Sequence, residues 1–78
     1  MATRAFILIE TAVGKTRDVA NTLGNAQGIT SVDVVTGPYD VIAIIEGDDI
    51  NAIGGLVTGK FHDISGIVRT VTCVAVGN

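Results

Sequence analysis

Apolar positions recur with two periods along this chain, and the switches between them mark out its elements. Residues 4–10 carry β-branched and aromatic side chains and run into a turn at Ala12-Val13-Gly14, the pattern of a strand. Residues 16–26 shift to a helical period. Val19, Leu23 and Ala26 share one face with Ala20 beside them, Lys15 or Thr16 stands near the N-cap, and Gly28 follows the end. Residues 29–36 read as a second strand, with Val32, Val34 and Thr36 on one side. Gly37-Pro38 makes a turn, and residues 39–46 form the third strand. Asp48 and Asp49 open a second helix that runs to about residue 62. Its apolar stripe is Ile50, Ile53 and Val57, with Phe61 and Ile64 near the end. Gly54, Gly55 and Gly59 weaken that helix, each by roughly 1 kcal/mol relative to Ala. Residues 67–76 are the fourth strand.

The order βαββαβ predicts an α+β, ferredoxin-like fold: a four-stranded antiparallel sheet with two helices on one face. Residues 1–78 form a single domain on this reading, with no linker or low-complexity segment. The chain also carries a faint internal duplicate. Gly28-Ile29-Thr30-Ser31-Val32 resembles Gly66-Ile67-Val68-Arg69-Thr70, each closing a βαβ half. A sheet face open to water is polar at every second position. Here Ala5, Ile7 and Ile9 alternate with Phe6 and Leu8, and Tyr39, Val41, Ala43 and Ile45 alternate with Ile42 and Ile44. Both faces are apolar, so both need cover. The simplest cover for the helix-free face is the same face of a second copy, in a two-fold homodimer with a sheet-on-sheet core.

Composition sharpens that expectation. A domain of this size buries only about 60% of the surface its unfolded chain exposes. Yet 47% of its 78 residues are hydrophobic, mostly Val, Ile and Ala, with two Phe, one Tyr and no Trp. Mean hydropathy is +0.54. The net charge is −3, and Arg4, Lys15, Arg17, Lys60 and Arg69 are scattered, so direct nucleic-acid binding is not expected. The lone Cys73 forms no intrachain disulfide and reads as a core thiol. With no secretory leader, a cytoplasmic location is expected. Apolar runs such as residues 41–45 are far short of a membrane span.

The candidate chemistry lies at two places. Gly37-Pro38-Tyr39-Asp40 sets a carboxylate where a glycine-bent turn enters an apolar strand, and Thr70 and Thr72 share one face of the last strand. A free amino acid needs an acceptor for its ammonium and donors for its carboxylate. Asp40 offers a charge-assisted acceptor, and backbone N–H groups around Gly37 offer donors in a turn that a ligand can approach closely. Pro38 stiffens the turn, and the threonine hydroxyls donate and accept. Plainer roles fit the same residues. Asp40 can accept local N–H bonds in its own turn, Thr70 and Thr72 can be simple strand formers, and Tyr39 suits interface packing. Gly14-Lys15-Thr16 lacks the first glycine of a phosphate loop, since Ile9 holds that position. Glu46, Asp48 and Asp49 could suggest a cation site, but carboxylates at a helix N-terminus read as caps and dipole partners. His62 has no second His or nearby Cys for zinc, and neither metal nor cofactor is expected. Arg69 is expected to pair with an acid across a subunit contact, Asp33 or Asp63.

Taken together, Ala5-Phe6-Ile7-Leu8-Ile9-Glu10, Gly14-Lys15, residues 32–36, the run from Gly37 to Glu46 and residues 66–72 resemble the effector-binding (RAM) domain of the Lrp/AsnC, or feast/famine, transcriptional regulators. The resemblance covers nearly the whole chain. The Gly-x-Tyr-Asp turn and the Thr-x-Thr strand carry it in combination. It implies dimerisation through the sheets and assembly into higher rings, often octamers. It also implies an amino acid or related effector held between dimers, near Gly37, Pro38, Tyr39, Asp40, Thr70 and Thr72. Full-length members carry a helix-turn-helix domain, and this chain begins at the first strand, so it is similar to the stand-alone members. Any effect on DNA is then expected to be indirect, through co-assembly with a full-length regulator. The rival readings are a small dimeric-barrel enzyme, which a pocket between sheet and helices containing His62 would favour; a structural assembly module with a filled interface; and an ACT-like regulatory domain with different subunit pairing.

Overall fold

Two strands with apolar residues on both faces form the middle of the sheet. β1 (Thr3–Thr11) and β3 (Val41–Gly47) pair antiparallel, with Ala5 opposite Ile45, Ile7 opposite Ala43 and Ile9 opposite Val41. β2 (Ile29–Val34) flanks β3, and β4 (Ile67–Val74) flanks β1, so the strand order is β2-β3-β1-β4, all antiparallel. The computed structural model describes residues 2–77. Helix α1 (Thr16–Gly24) packs against β2 and β3, and α2 (Ile50–Leu56) against β1 and β3. A π-helical segment, Val57–Phe61, continues α2. The expected βαββαβ order and four-stranded antiparallel sheet are present.

The core lies between helices and sheet. Ala5, Ile7, Ile9, Val41, Ala43 and Ile45 are buried beneath Val19 and Leu23 of α1, Ile53 of α2 and Phe61 of the π segment. Residues i and i+4 lie on one helix face, which is why Val19 and Leu23 meet the sheet together. In the second helix Asp49 is the N-cap, its Oδ1 accepting the Ala52 N–H at 2.9 Å, as expected of a cap. That start puts Ile50 at the first helical position, 64% exposed, so it is not part of the buried stripe.

Element ends differ from the sequence expectation for local reasons. α1 stops at Gly24 rather than residue 26, with Asn25 as its C-cap and the Asn25 amide donating to the Asn21 carbonyl at 3.0 Å. β2 stops at Val34, and the Val35 N–H instead closes a loop onto the Asp40 carbonyl at 2.9 Å. β4 ends at Val74, although the Ala75 N–H still reaches the Arg4 carbonyl at 2.8 Å. Among the described residues, no helix is long and apolar enough to cross a membrane.

The internal duplicate has a structural counterpart. Gly28 and Gly66 each precede a strand that closes a half, with φ of +88° and +100°. Each presses on the helix of the other half. A Cβ on Gly28 would stand 2.9 Å from Cδ2 of Leu56; one on Gly66 would stand 3.0 Å from Cβ of Lys15 and 3.1 Å from Cγ2 of Val19. Gly66→Ala is therefore expected to cost about 1–2 kcal/mol from the left-handed backbone alone. At Gly54, by contrast, a Cβ would meet nothing within 4 Å beyond its own helix. Gly54→Ala is expected to gain about 1 kcal/mol of helix propensity. Urea denaturation of the two variants checks the opposite signs.

Candidate functional site

The turn between β2 and β3 is held by one side chain. The Asp40 N–H donates to the Ile9 carbonyl at 2.9 Å. Its Oδ2 accepts the Thr11 N–H at 2.8 Å and the Thr11 hydroxyl at 3.1 Å. Thr11 Oγ1 in turn lies 2.7 Å from Thr16 Oγ1 at the start of α1. Asp40 thus ties the end of β1, the start of β3 and the first turn of α1 into one knot. This is the local acceptor role that its residue type favours, made across 29 positions of sequence rather than within the turn. A carboxylate has two oxygens and about four lone-pair sites, so these bonds leave it further acceptor capacity.

Tyr39 faces a different partner. Its hydroxyl accepts from Nη2 of Arg69 at 3.0 Å, and the guanidinium carbon sits 5.8 Å from the ring centroid. Arg69 Nε lies 3.8 Å from Oε1 of Glu10, its cross-strand neighbour, in an exposed and therefore weak ion pair. Within its own chain Arg69 therefore has Glu10 as its acid, a neighbour set by strand register. Gly37 and Pro38 are exposed, and Gly37 has a φ of +153° with open space where a side chain would stand.

Thr70 and Thr72 lie opposite Ile9 and Ile7, which puts both hydroxyls on the helix side of β4. Their buried neighbours are covered by helices, but β4 is an edge strand. Thr70 is half-buried and Thr72 exposed, forming an uncovered ledge. Within one chain the structure joins Asp40 to Thr11 and Tyr39 to Arg69. It does not bring the turn and the threonine ledge into one cavity. Cys73 is not a core thiol: it is exposed, opposite Phe6 on the helix-free face. That face also carries Leu8, Ile42, Ile44 and Val71, all half-buried by their neighbours, with the Arg4 guanidinium 5.4 Å from the Phe6 ring centroid. A separate cleft of about 360 Å³ opens between the π segment and the start of β4, and His62, Arg69 and Thr70 are among its lining residues. It meets the geometric condition set for the enzymatic reading.

Sequence reasoning missed Thr11 and the Tyr39–Arg69–Glu10 cluster. Both follow from strand register. Once Ile9 is set opposite Val41 and Glu10 opposite Arg69, residues 11 and 40 are brought to one end of the sheet, with Arg69 two strands from Tyr39.

Comparison with known proteins places the chain among regulators. Residues 4–78 match the family model of the Lrp/AsnC ligand binding domain. An uncharacterized HTH-type transcriptional regulator of Pyrococcus horikoshii is 33% identical over 78 residues, covering 96% of this chain and 52% of its own. The chain therefore spans about half the length of the curated relatives it matches. The crystal structure of FFRP-DM1 is 36% identical with a TM-score of 0.86, covering 97% of this chain and 100% of that one. A transcriptional regulator of Neisseria meningitidis, solved as a complex with L-Met, shares the fold at 18% identity and a TM-score of 0.83, over 96% of this chain and 50% of that one. The curated relatives are transcriptional regulators, not enzymes, although the cleft beside His62 is present in this chain. The chain belongs to the Lrp/AsnC ligand-binding domain family.

Proposed function

We propose that this domain senses an amino acid or a related small metabolite and answers by changing its state of assembly. Two copies pair through their helix-free sheet faces, dimers join into a ring of the octamer kind, and the effector sits between dimers. Gly37, Pro38, Tyr39 and Asp40 of one subunit and Thr70 and Thr72 form its contacts. Its effect on transcription, in the cytoplasm, runs through co-assembly with a full-length regulator of the same family. The observation that carries this reading is the placement of the Asp40-held turn at the end of a sheet whose apolar face has no cover. The turn thus borders the face that a second copy would cover, while Thr70 and Thr72, on the helix side of the edge strand, are open to a neighbouring dimer. Charge supports self-pairing too. Arg4 lies opposite Glu46 at one end of the open face and Glu10 opposite Arg69 at the other, so each end is balanced around an apolar centre. The L-Met complex of the Neisseria meningitidis regulator supports the effector class.

An effector bound between dimers stabilises whichever assembly it contacts best, by mass action. Light scattering coupled to size exclusion, with and without millimolar amino acids, tests this. The expected result is a dimer or larger species whose mass distribution shifts with one amino acid. Thr72→Val removes a hydrogen bond to a charged ligand and is expected to raise the concentration needed about tenfold. A single assembly indifferent to every amino acid would leave a structural module as the better reading.

A further inference from the structure

The cleft between the π-helical segment and β4 adjoins the threonine ledge, because Thr70 belongs to both. Its walls are apolar: Val57 and Phe61 on the helical side, Ile67 and Val68 on the strand. Val68 is 62% exposed, apolar surface left uncovered in the single chain. Arg69 borders the cleft, but its side chain leaves it. The register that sets Arg69 opposite Glu10 turns the guanidinium to the helix-free face, against Tyr39 and Glu10. Among the described residues, neither Asp, Glu nor Lys lines the cleft. Its polar side chains are therefore the hydroxyls of Thr58 and Thr70 and the imidazole of His62. An ionised group entering here would give up water and meet no fixed counter-charge. The volume of about 360 Å³ falls in the range of small-molecule pockets, so a large apolar side chain has room.

We infer that this cleft receives the effector's side chain, and that it selects amino acids with a bulky, uncharged, apolar side chain of the leucine or phenylalanine kind. The inference rests on the effector site proposed above, in which Thr70 and Thr72 contact the ligand. From Thr70 the surface continues into the cleft, so a ligand held by its charged groups at the ledge can lay its side chain between Val57 and Val68. Burying a large aliphatic or aromatic side chain there adds at least about tenfold in affinity over a methyl group. A carboxylate or ammonium at the end of the side chain is desolvated without a partner and is selected against. Val68 and Thr58, exposed at the two sides of the cleft, are then the residues that set specificity.

The test is the concentration at which each of leucine, phenylalanine, alanine, aspartate and lysine half-shifts the mass distribution in light scattering coupled to size exclusion. Leucine or phenylalanine is expected to act at a concentration at least about tenfold below alanine, with aspartate and lysine weaker than either. Thr58→Trp is expected to fill the cleft and to remove the advantage of leucine over alanine. Val68→Asp sets a carboxylate at the cleft and is expected to reverse the preference between leucine and lysine. Both positions are exposed, and circular dichroism checks that each variant is folded. A parent chain that answers alanine, aspartate or lysine at as low a concentration as leucine and phenylalanine overturns the inference while the sensing reading stands. So does an unchanged order of preference in both variants. Indifference to all five overturns the inference as well, and the sensing reading is then decided by the remaining amino acids.

Discussion

Asp40→Asn is expected to keep the fold and lose the effector, whereas Asp40→Ala is expected to lose stability as well. Oδ2 accepts both the N–H and the hydroxyl of Thr11, and a carboxamide oxygen can take the same two bonds. The Asn variant therefore retains the knot between β1, β3 and α1, at a cost of no more than about 1 kcal/mol for the lost charge assistance. What it no longer offers is a negative charge for an ammonium group, and effector affinity is expected to fall at least ~tenfold. In the Ala variant the part-buried Thr11 N–H has no acceptor, a loss of about 1–3 kcal/mol. A domain this small has little margin for it. Urea denaturation measures the stability difference, and calorimetric titration with the amino acid that shifts assembly measures binding. An Ala variant as stable as the parent would show that the knot contributes nothing to folding. Unchanged affinity in the Asn variant would confine Asp40 to its structural role.

That division of roles shows what the residues revealed and what they withheld. The Gly37-Pro38-Tyr39-Asp40 turn stands out locally, because glycine, proline and aspartate mark turns by their own backbone preferences. Thr11 carries no such mark. It matters only because the pairing of Ile9 with Val41 brings it to Asp40, 29 residues away. Arg69 is the same case. Its charge was visible, but its acid is fixed by the register that sets it opposite Glu10.

The fold was legible where a period runs long enough. The apolar runs at residues 5–9 and 41–45 mark the two central strands, but with both faces apolar they leave open which set of side chains meets the helices; Ala5, Ile7, Ile9, Val41, Ala43 and Ile45 do. Weaker patterns leave more open. Residues 67–76 mix Val, Thr and Cys, so the pattern did not show which side Cys73 takes, and pairing with Phe6 sends it to the helix-free face. The second helix lies where the pattern predicts it, but the Asp49 cap sets Ile50 at its exposed first position, and Ile53 and Phe61 reach the core.

The alternation of β1 yields the sharpest separation of folding from assembly, because two adjacent residues face opposite ways. Ile7 is fully buried under the helices, while Leu8 stands between Ile42 and Val71 at the centre of the open face. Ile7→Lys removes a core side chain, a loss of about 2–5 kcal/mol, and leaves an unpaired charge inside. That exceeds what a domain of this size can spare, and the variant is expected to be unfolded by circular dichroism. Leu8→Lys in a single chain only sets an ammonium at the surface, where its long stem can still cover apolar neighbours. In a sheet-to-sheet dimer the same change buries two charges, one from each copy, at a cost of several kcal/mol apiece. Leu8→Lys is therefore expected to keep native circular dichroism and to sediment as a monomer at micromolar concentration. Val13→Lys, in a fully exposed loop, is expected to assemble like the parent. If Leu8→Lys assembles normally, the helix-free face is not the interface, and the proposed effector site between dimers falls with it.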